Sequence, residues 1–297
     1  MPDDLVKMQC LQVWGGNQAA DQTLRLTGLD GFLVSRPFED AEAGGDVYYA
    51  SSCASGRITR VVLADVAGHG RVVARFANDL RTLMQRFVNY TSHRRFIAAL
   101  NDAFGKQTED GRFATAVALS YYAPKQELHL INAGHPPPLY YRAQTKQWST
   151  LEDDGDETPG STKTRTRTVD LPLGIQDGIG YHATRKKLAA GDMLLLYTDA
   201  FIEAQKPDGG LLGVAGLLES VRFVTGDTLE PASDQLLPTL IAHLAANRAN
   251  TPTLAGDDTT ALLLRATGEK RQWGQVLTSP IHLVRGLMLG ARPTLTH

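Results

Sequence analysis

The run "VVLADVAGHG", residues 61–70, begins as an unbroken buried-strand pattern and stops on a charge, Asp65. Its β-branched and aliphatic residues show no polar alternation, as expected of a strand covered on both faces. Glycines then flank His69, and the period changes: Phe76, Leu80, Leu83 and Phe87 recur at helical spacing. An aspartate that ends a buried strand is costly unless its charge is paired, and no lysine or arginine adjoins Asp65 in the sequence. Asp65 is therefore either a local turn or cap residue or the holder of an ion.

Three more aspartates share its context. Asp46 opens a strand after two glycines in "GGDVYY", Asp199 closes "LLLYTD", and Asp257 precedes "TTALLL". For any one of them a turn or N-cap role is sufficient. Four such carboxylates brought together would repel one another unless a cation sat among them. Mg²⁺ and Mn²⁺ are suited to such a site, since both prefer carboxylate, carbonyl and water oxygens. His69 and His135 lie in the glycine-containing loops "AGHG" and "AGHPPP", and imidazole suits zinc. No His-x-x-x-His or Cys-x-x-Cys spacing accompanies them, so both are read as loop residues.

Outward from this stretch, "VYYASS", "FATAVALSYY", "ELHLINA", "GDMLLLYTD" and "TTALLLR" read as strands, with "APKQ" a hairpin-length turn. Helical patterns cover Phe76 to Phe87, "RRFIAALNDAFG", and the regions near 213–224 and 234–249. The run "LQVWGGNQAADQTLRL" predicts a strand, a glycine turn and a short helix. Arg75, Arg81 and Arg86 form a stripe that reads as a solvated helix face. Strands in hairpins and helices in pairs imply sheets covered by helices, not a doubly wound parallel sheet.

Residues 152–168, "EDDGDETPGSTKTRTRT", are too polar to bury a core and are expected to be a mobile surface insertion. Residues 267–297 form a tail in which "IHLVRGLML" has the pattern of a short amphipathic helix. The chain of 297 residues is expected to be one domain, with a core of about 25–266. Its net charge of -2 argues against nucleic acid as the main partner. Cys10 and Cys53 are too few for a disulfide framework. The acidic N-terminus carries no signal-like apolar region, and no apolar run is long enough for a membrane span. A cytoplasmic location is the simplest expectation.

The motifs "GGDVYY", "LADVAGHG", "FATAVAL", "NAGHPPPLY", "LPLGI", "GDMLLLYTDAFIEA" and "GDDTTALLL" together resemble, in order, the SpoIIE-type serine/threonine phosphatases. These belong to the metal-dependent protein phosphatases, relatives of protein phosphatase 2C. The resemblance implies an α+β fold, a four-layer α-β-β-α sandwich of two mostly antiparallel sheets flanked by helix pairs. It also implies two Mn²⁺ or Mg²⁺ ions. By motif position Asp65 would bridge them, the Val66 carbonyl would complete one site, Asp199 and Asp257 would serve the second, and Asp46 would bind metal or orient its water. The reaction implied is in-line attack of an activated water on a phosphoserine or phosphothreonine. The partner would be a phosphorylated protein, such as an anti-sigma-factor antagonist in a partner-switching circuit, and a homodimer is left open.

His69 and Asp258 fall near the implied site without an assigned role. Ala200 stands where the family usually has glycine, and the expectation is that the backbone there has adopted a conformation alanine accepts. The alternatives are a scaffold that keeps the fold for binding only, and a metal phosphoesterase acting on a small molecule.

Overall fold

The computed structural model describes residues 5–7, 13–53, 57–68, 71–88, 90, 92–107, 111–151, 170–226, 233–246 and 256–269. In chain order its strands are β1 (Leu5–Lys7), β2 (Val13–Gly16), β3 (Ala20–Leu26), β4 (Leu29–Arg36), β5 (Asp46–Cys53), β6 (Ile58–Val66) and β7 (Ala114–Tyr122). They continue with β8 (Glu127–Ala133), β9 (Leu139–Arg142), β10 (Gln147–Thr150), β11 (Thr184–Lys187), β12 (Met193–Tyr197) and β13 (Thr259–Ala266). The helices are α1 (Arg71–Phe87), α2 (His93–Gln107), α3 (Gly213–Thr225) and α4 (Ser233–Ala246).

The strands form two sheets, ordered β1-β3-β4-β13-β12-β9-β10 and β11-β8-β7-β6-β5-β2. Neighbouring strands run antiparallel except β1, which pairs with β3 in parallel. Alternation along the strands produces three apolar layers. On β6, Val61 and Leu63 point between the sheets, where they meet Leu33, Leu119, Leu196 and Leu262. Val62, Ala64 and Val66 point the other way, against Val73, Leu80 and Leu83 of α1 and Phe96 and Leu100 of α2. The far face of the first sheet packs Leu195 and Leu263 on Leu217 and Val221 of α3 and Leu237 and Leu240 of α4. This double coverage explains why "VVLADV" and "MLLLY" read as continuous apolar runs. The order α1/α2, sheet, sheet, α3/α4 is the expected four-layer α+β sandwich.

The reading of residues 11–26 is corrected in one respect. The expected short helix is strand β3, whose residues 20–26 pair with β4 from Ala20↔Ser35 to Leu26↔Leu29. The segment has fair helix formers, but Leu24 and Leu26 alternate into the inter-sheet core, and that burial decides. Of the arginine stripe on α1, Arg75 and Arg86 are exposed, whereas Arg81 is half-buried with its Nε enclosed and its charge near Tyr48, so only part of the stripe is a solvated face. The expected insertion 152–168, the helix pattern at 281–289 and His69 lie outside the described residues. No described helix is long and apolar enough to cross a membrane.

Candidate metal centre

At one end of the sandwich β5 begins, β6 ends, β7 begins, β12 ends and β13 begins. The antiparallel register sets Asp46 opposite Asp65 and Asp65 opposite Thr115. From the facing sheet, β12 delivers Asp199 just beyond its last residue, and Asp257 and Asp258 stand immediately before β13. The four aspartates expected at the site therefore lie at one end of the fold.

Asp46 is buried and held by the opposite sheet: the Thr198 hydroxyl donates to its Oδ2 at 3.0 Å, and the Thr260 hydroxyl also bonds to it. Thr260 is fixed in turn by Ser35, 2.9 Å away between hydroxyl oxygens. Burial first, then the charges of Asp65 and Asp258, hold the Asp46 carboxyl well above the usual carboxylate range. Asp65 is pushed up to about 7, by burial and then by Asp199, Asp257, Asp258 and Glu203. Among the described residues no donor reaches the Asp65 carboxylate. Asp199 is also raised, by burial and then by Glu203 and Asp257.

Asp258 has a definable task. Its Oδ1 accepts from the Phe38 amide at 2.7 Å and its Oδ2 from the Gly45 amide at 2.5 Å, which folds segment 38–45 against the site. Asn17 grips Gly44 from the other side, accepting its amide at the backbone carbonyl and donating to its carbonyl at 3.0 Å. A Cβ on Gly44 would lie 2.4 Å from Asp258 Oδ1. Gly44→Ala is therefore expected to cost about 1–3 kcal/mol, read as a lower urea midpoint. An unchanged midpoint would show that segment 38–45 yields freely.

Ala200 is buried in a single 3₁₀ turn, Asp199–Phe201, and is not among the residues of positive φ. The amides of Ile202 and Glu203 both donate to the Asp199 carbonyl at 2.8 Å. The backbone is thus one alanine accepts, as expected. Ala200→Gly should leave Mn²⁺ affinity within a few-fold of wild type and lower stability by roughly 0.5–1 kcal/mol. A large gain in affinity, measured by titration, would contradict this.

Sequence reasoning missed several contributors. Glu203 follows Asp199 by four residues and presses its charge on Asp199 and Asp65; only that spacing hinted at it. Thr198 and Thr260 sit inside quoted motifs, but their grip on Asp46 crosses the two sheets and has no local signature. Phosphoryl chemistry aside, a set of six carboxylates, one of them half-buried with no hydrogen bond among the described residues, fits a divalent cation by its oxygen donors. Among the described residues no three of these groups converge at ligand distance.

A family model described as Stage II sporulation protein E (SpoIIE) matches residues 55–267. Phosphoserine phosphatase RsbP of Bacillus subtilis is 24% identical over 168 residues, covering 55% of this chain and 38% of that protein. The chain thus spans about two fifths of that relative's length. Among solved structures, the RsbU and RsbW domains of Rv1364c from Mycobacterium tuberculosis align with a TM-score of 0.65 and 24% identity, over 90% of this chain and 72% of that one. The phosphatase domain of SpoIIE from Bacillus subtilis, with a fragment of its regulatory domain, aligns with a TM-score of 0.61 and 15% identity, over 87% and 64%.

Proposed function

The chain belongs to the SpoIIE family, and on that premise we propose that it is a metal-dependent protein serine/threonine phosphatase acting as one catalytic unit. The observation that carries the reading is Asp65: half-buried, with no hydrogen-bond donor among the described residues, and pushed up to about 7 by burial and then by the carboxylates around it. A cation beside such a group stabilises its charged form. Asp65, the Val66 carbonyl, Asp199, Asp257 and Asp46 would together hold two Mn²⁺ or Mg²⁺ ions, with Asp65 shared between them. When bound, these ions supply Lewis acidity that activates a water and neutralises charge on the phosphoryl group.

The chain's own residues supply position. The hydroxyls of Thr198 and Thr260 fix the Asp46 carboxylate across the two sheets. Asp258 holds segment 38–45 beside it. Among the described residues nothing donates to either oxygen of Asp65, which leaves the carboxylate for a cation. Catalysis of this kind needs placement and charge neutralisation more than covalent chemistry, so no nucleophilic cysteine enters. The substrate would be a phosphoserine or phosphothreonine on a partner protein of the anti-sigma-factor antagonist kind. RsbP, named a phosphoserine phosphatase, supports that class.

The test compares a phosphoserine peptide, a nucleotide and an aryl phosphate, each with Mn²⁺ and with chelator. Metal-dependent release of phosphate, fastest from the peptide, is expected. Preference for the nucleotide would favour a small-molecule phosphoesterase, and no turnover of any substrate would favour a scaffold.

A further inference from the structure

His135 follows β8 in the "NAGHPPP" loop and is buried. Asn132 clamps its backbone, its Oδ1 accepting the His135 amide at 2.8 Å and its Nδ2 donating to the His135 carbonyl at 2.9 Å. The ring's Nδ1 lies 2.8 Å from the hydroxyl of Thr115. Its Nε2 is buried without a closed hydrogen bond, and the backbone carbonyl of Tyr197 acts on the ring as an acceptor. Tyr197 is tied to the same loop, its hydroxyl donating to the Pro137 carbonyl at 2.8 Å. His135 therefore lies between β7, whose Thr115 pairs with Asp65, and the end of β12, which leads into Asp199.

The chemistry of the ring fixes the direction of these bonds. A neutral imidazole has one donor and one acceptor. Nδ1 faces the Thr115 hydroxyl, which leaves Nε2 for the Tyr197 carbonyl; we assign the proton to Nε2 on that ground, so that Nδ1 accepts and the Thr115 hydroxyl is the donor. Thr115 stands opposite Asp65 in the ladder. A threonine hydroxyl has a single proton; once given to His135, it cannot be given to Asp65.

We propose that His135 is a positioning residue which, by taking the Thr115 hydroxyl proton, keeps Asp65 free of an internal donor and open to a divalent cation. The proposal rests on the metal-dependent reading above. It accounts for a contrast within the site: Asp46 is engaged by threonine hydroxyls, whereas Asp65, with a threonine directly opposite, is engaged by none among the described residues. Without the imidazole, the Thr115 hydroxyl would turn to the nearest strong acceptor, Asp65, and compete with the cation for it.

Mn²⁺ binding, followed by the electron paramagnetic resonance of the free ion, tests this in wild type and four variants. His135→Leu should weaken binding about 10–100-fold. His135→Asn, whose side-chain carbonyl can accept from Thr115, should stay near wild type. Thr115→Val alone should change binding little, and Thr115→Val combined with His135→Leu should regain most of the lost affinity, because the competing hydroxyl is gone. A purely structural histidine would not be rescued in this way. Nitrogen-15 spectra of the wild-type histidine ring should show the Nε2–H tautomer.

Wild-type affinity in His135→Leu, a double variant no better than His135→Leu, or an Nδ1–H tautomer would each overturn the proposal. The tautomer decides the matter even where His135→Leu fails to fold. A wild type that binds no Mn²⁺ overturns the metal reading itself; binding that is equal across the whole series overturns only the role of His135.

Discussion

Asparagine in place of Asp65 is expected to lower kcat/KM by at least about 10²-fold while making the metal-free protein more stable. The two effects have one cause. Asp65 is half-buried and feels the charges of Asp199, Asp257, Asp258 and Glu203, so its charge is unfavourable without a cation. A neutral amide of the same shape removes that repulsion, but it cannot offer a cation the charge of a carboxylate. Thermal unfolding in chelator should show a higher Tm for Asp65→Asn at pH 8, and peptide dephosphorylation in saturating Mn²⁺ should be nearly lost. A variant both inactive and less stable in chelator would mean that Asp65 is a structural carboxylate, and the proposed centre would lose its middle.

Metal-free wild type is expected to gain stability as the pH falls from 8 to about 6.5. Asp65 is pushed up to about 7 from the ordinary 3.8, so in this range it binds a proton when folded that it does not bind when unfolded, and Asp46 and Asp199 are raised in the same direction. Stability then rises as pH falls, by up to ~1.4 kcal/mol per pH unit for each group that takes up a proton only when folded. Buried His93 and His135 work in the opposite sense. Burial lowers each from 6.5 to about 3, so below pH 6.5 the unfolded chain gains protons that they refuse. A maximum near pH 6–6.5 should result. Saturating Mn²⁺ should flatten or reverse the upper limb, because the carboxylates then hold cations and protons compete with them. Unfolding curves from pH 5 to 8.5, with Mn²⁺ and with chelator, measure both limbs. A flat metal-free profile above pH 6.5 would mean that the carboxylates do not share one field.

The aspartates could be found from sequence because each lies where a strong strand starts or stops, and strand ends are set by local composition. The same logic identified β6, β7, β8, β12 and β13. It failed at β3, where pairing with β4 and burial of Leu24 and Leu26 outweighed local helix propensity. The residues that orient the ligands escaped for a different reason. Thr198 lies 152 positions from the Asp46 it grips, and Asp258 lies 213 from the Gly45 amide it accepts. Contacts of that span leave no period and no motif. The glycine at Gly44 was visible, but its need for an absent side chain follows from a carboxylate more than two hundred residues away.

The place of β13 in its sheet sets a timetable. This strand is among the last described elements of the chain, yet it fills the gap between β4 and β12. Until it arrives, the seven-stranded sheet is divided into two pieces, and the strands carrying Asp46 and Asp65 face an incomplete opposite wall. A chain emerging from the ribosome can pair β5 with β6 early, since they are neighbours in sequence, but it cannot assemble the cluster until residues 257–266 are made. Closure of the sheet and completion of the site are thus a single late event. A growing chain has no finished site in which to trap a cation prematurely, and a chain stopped short of β13 lacks both a continuous sheet and a candidate centre.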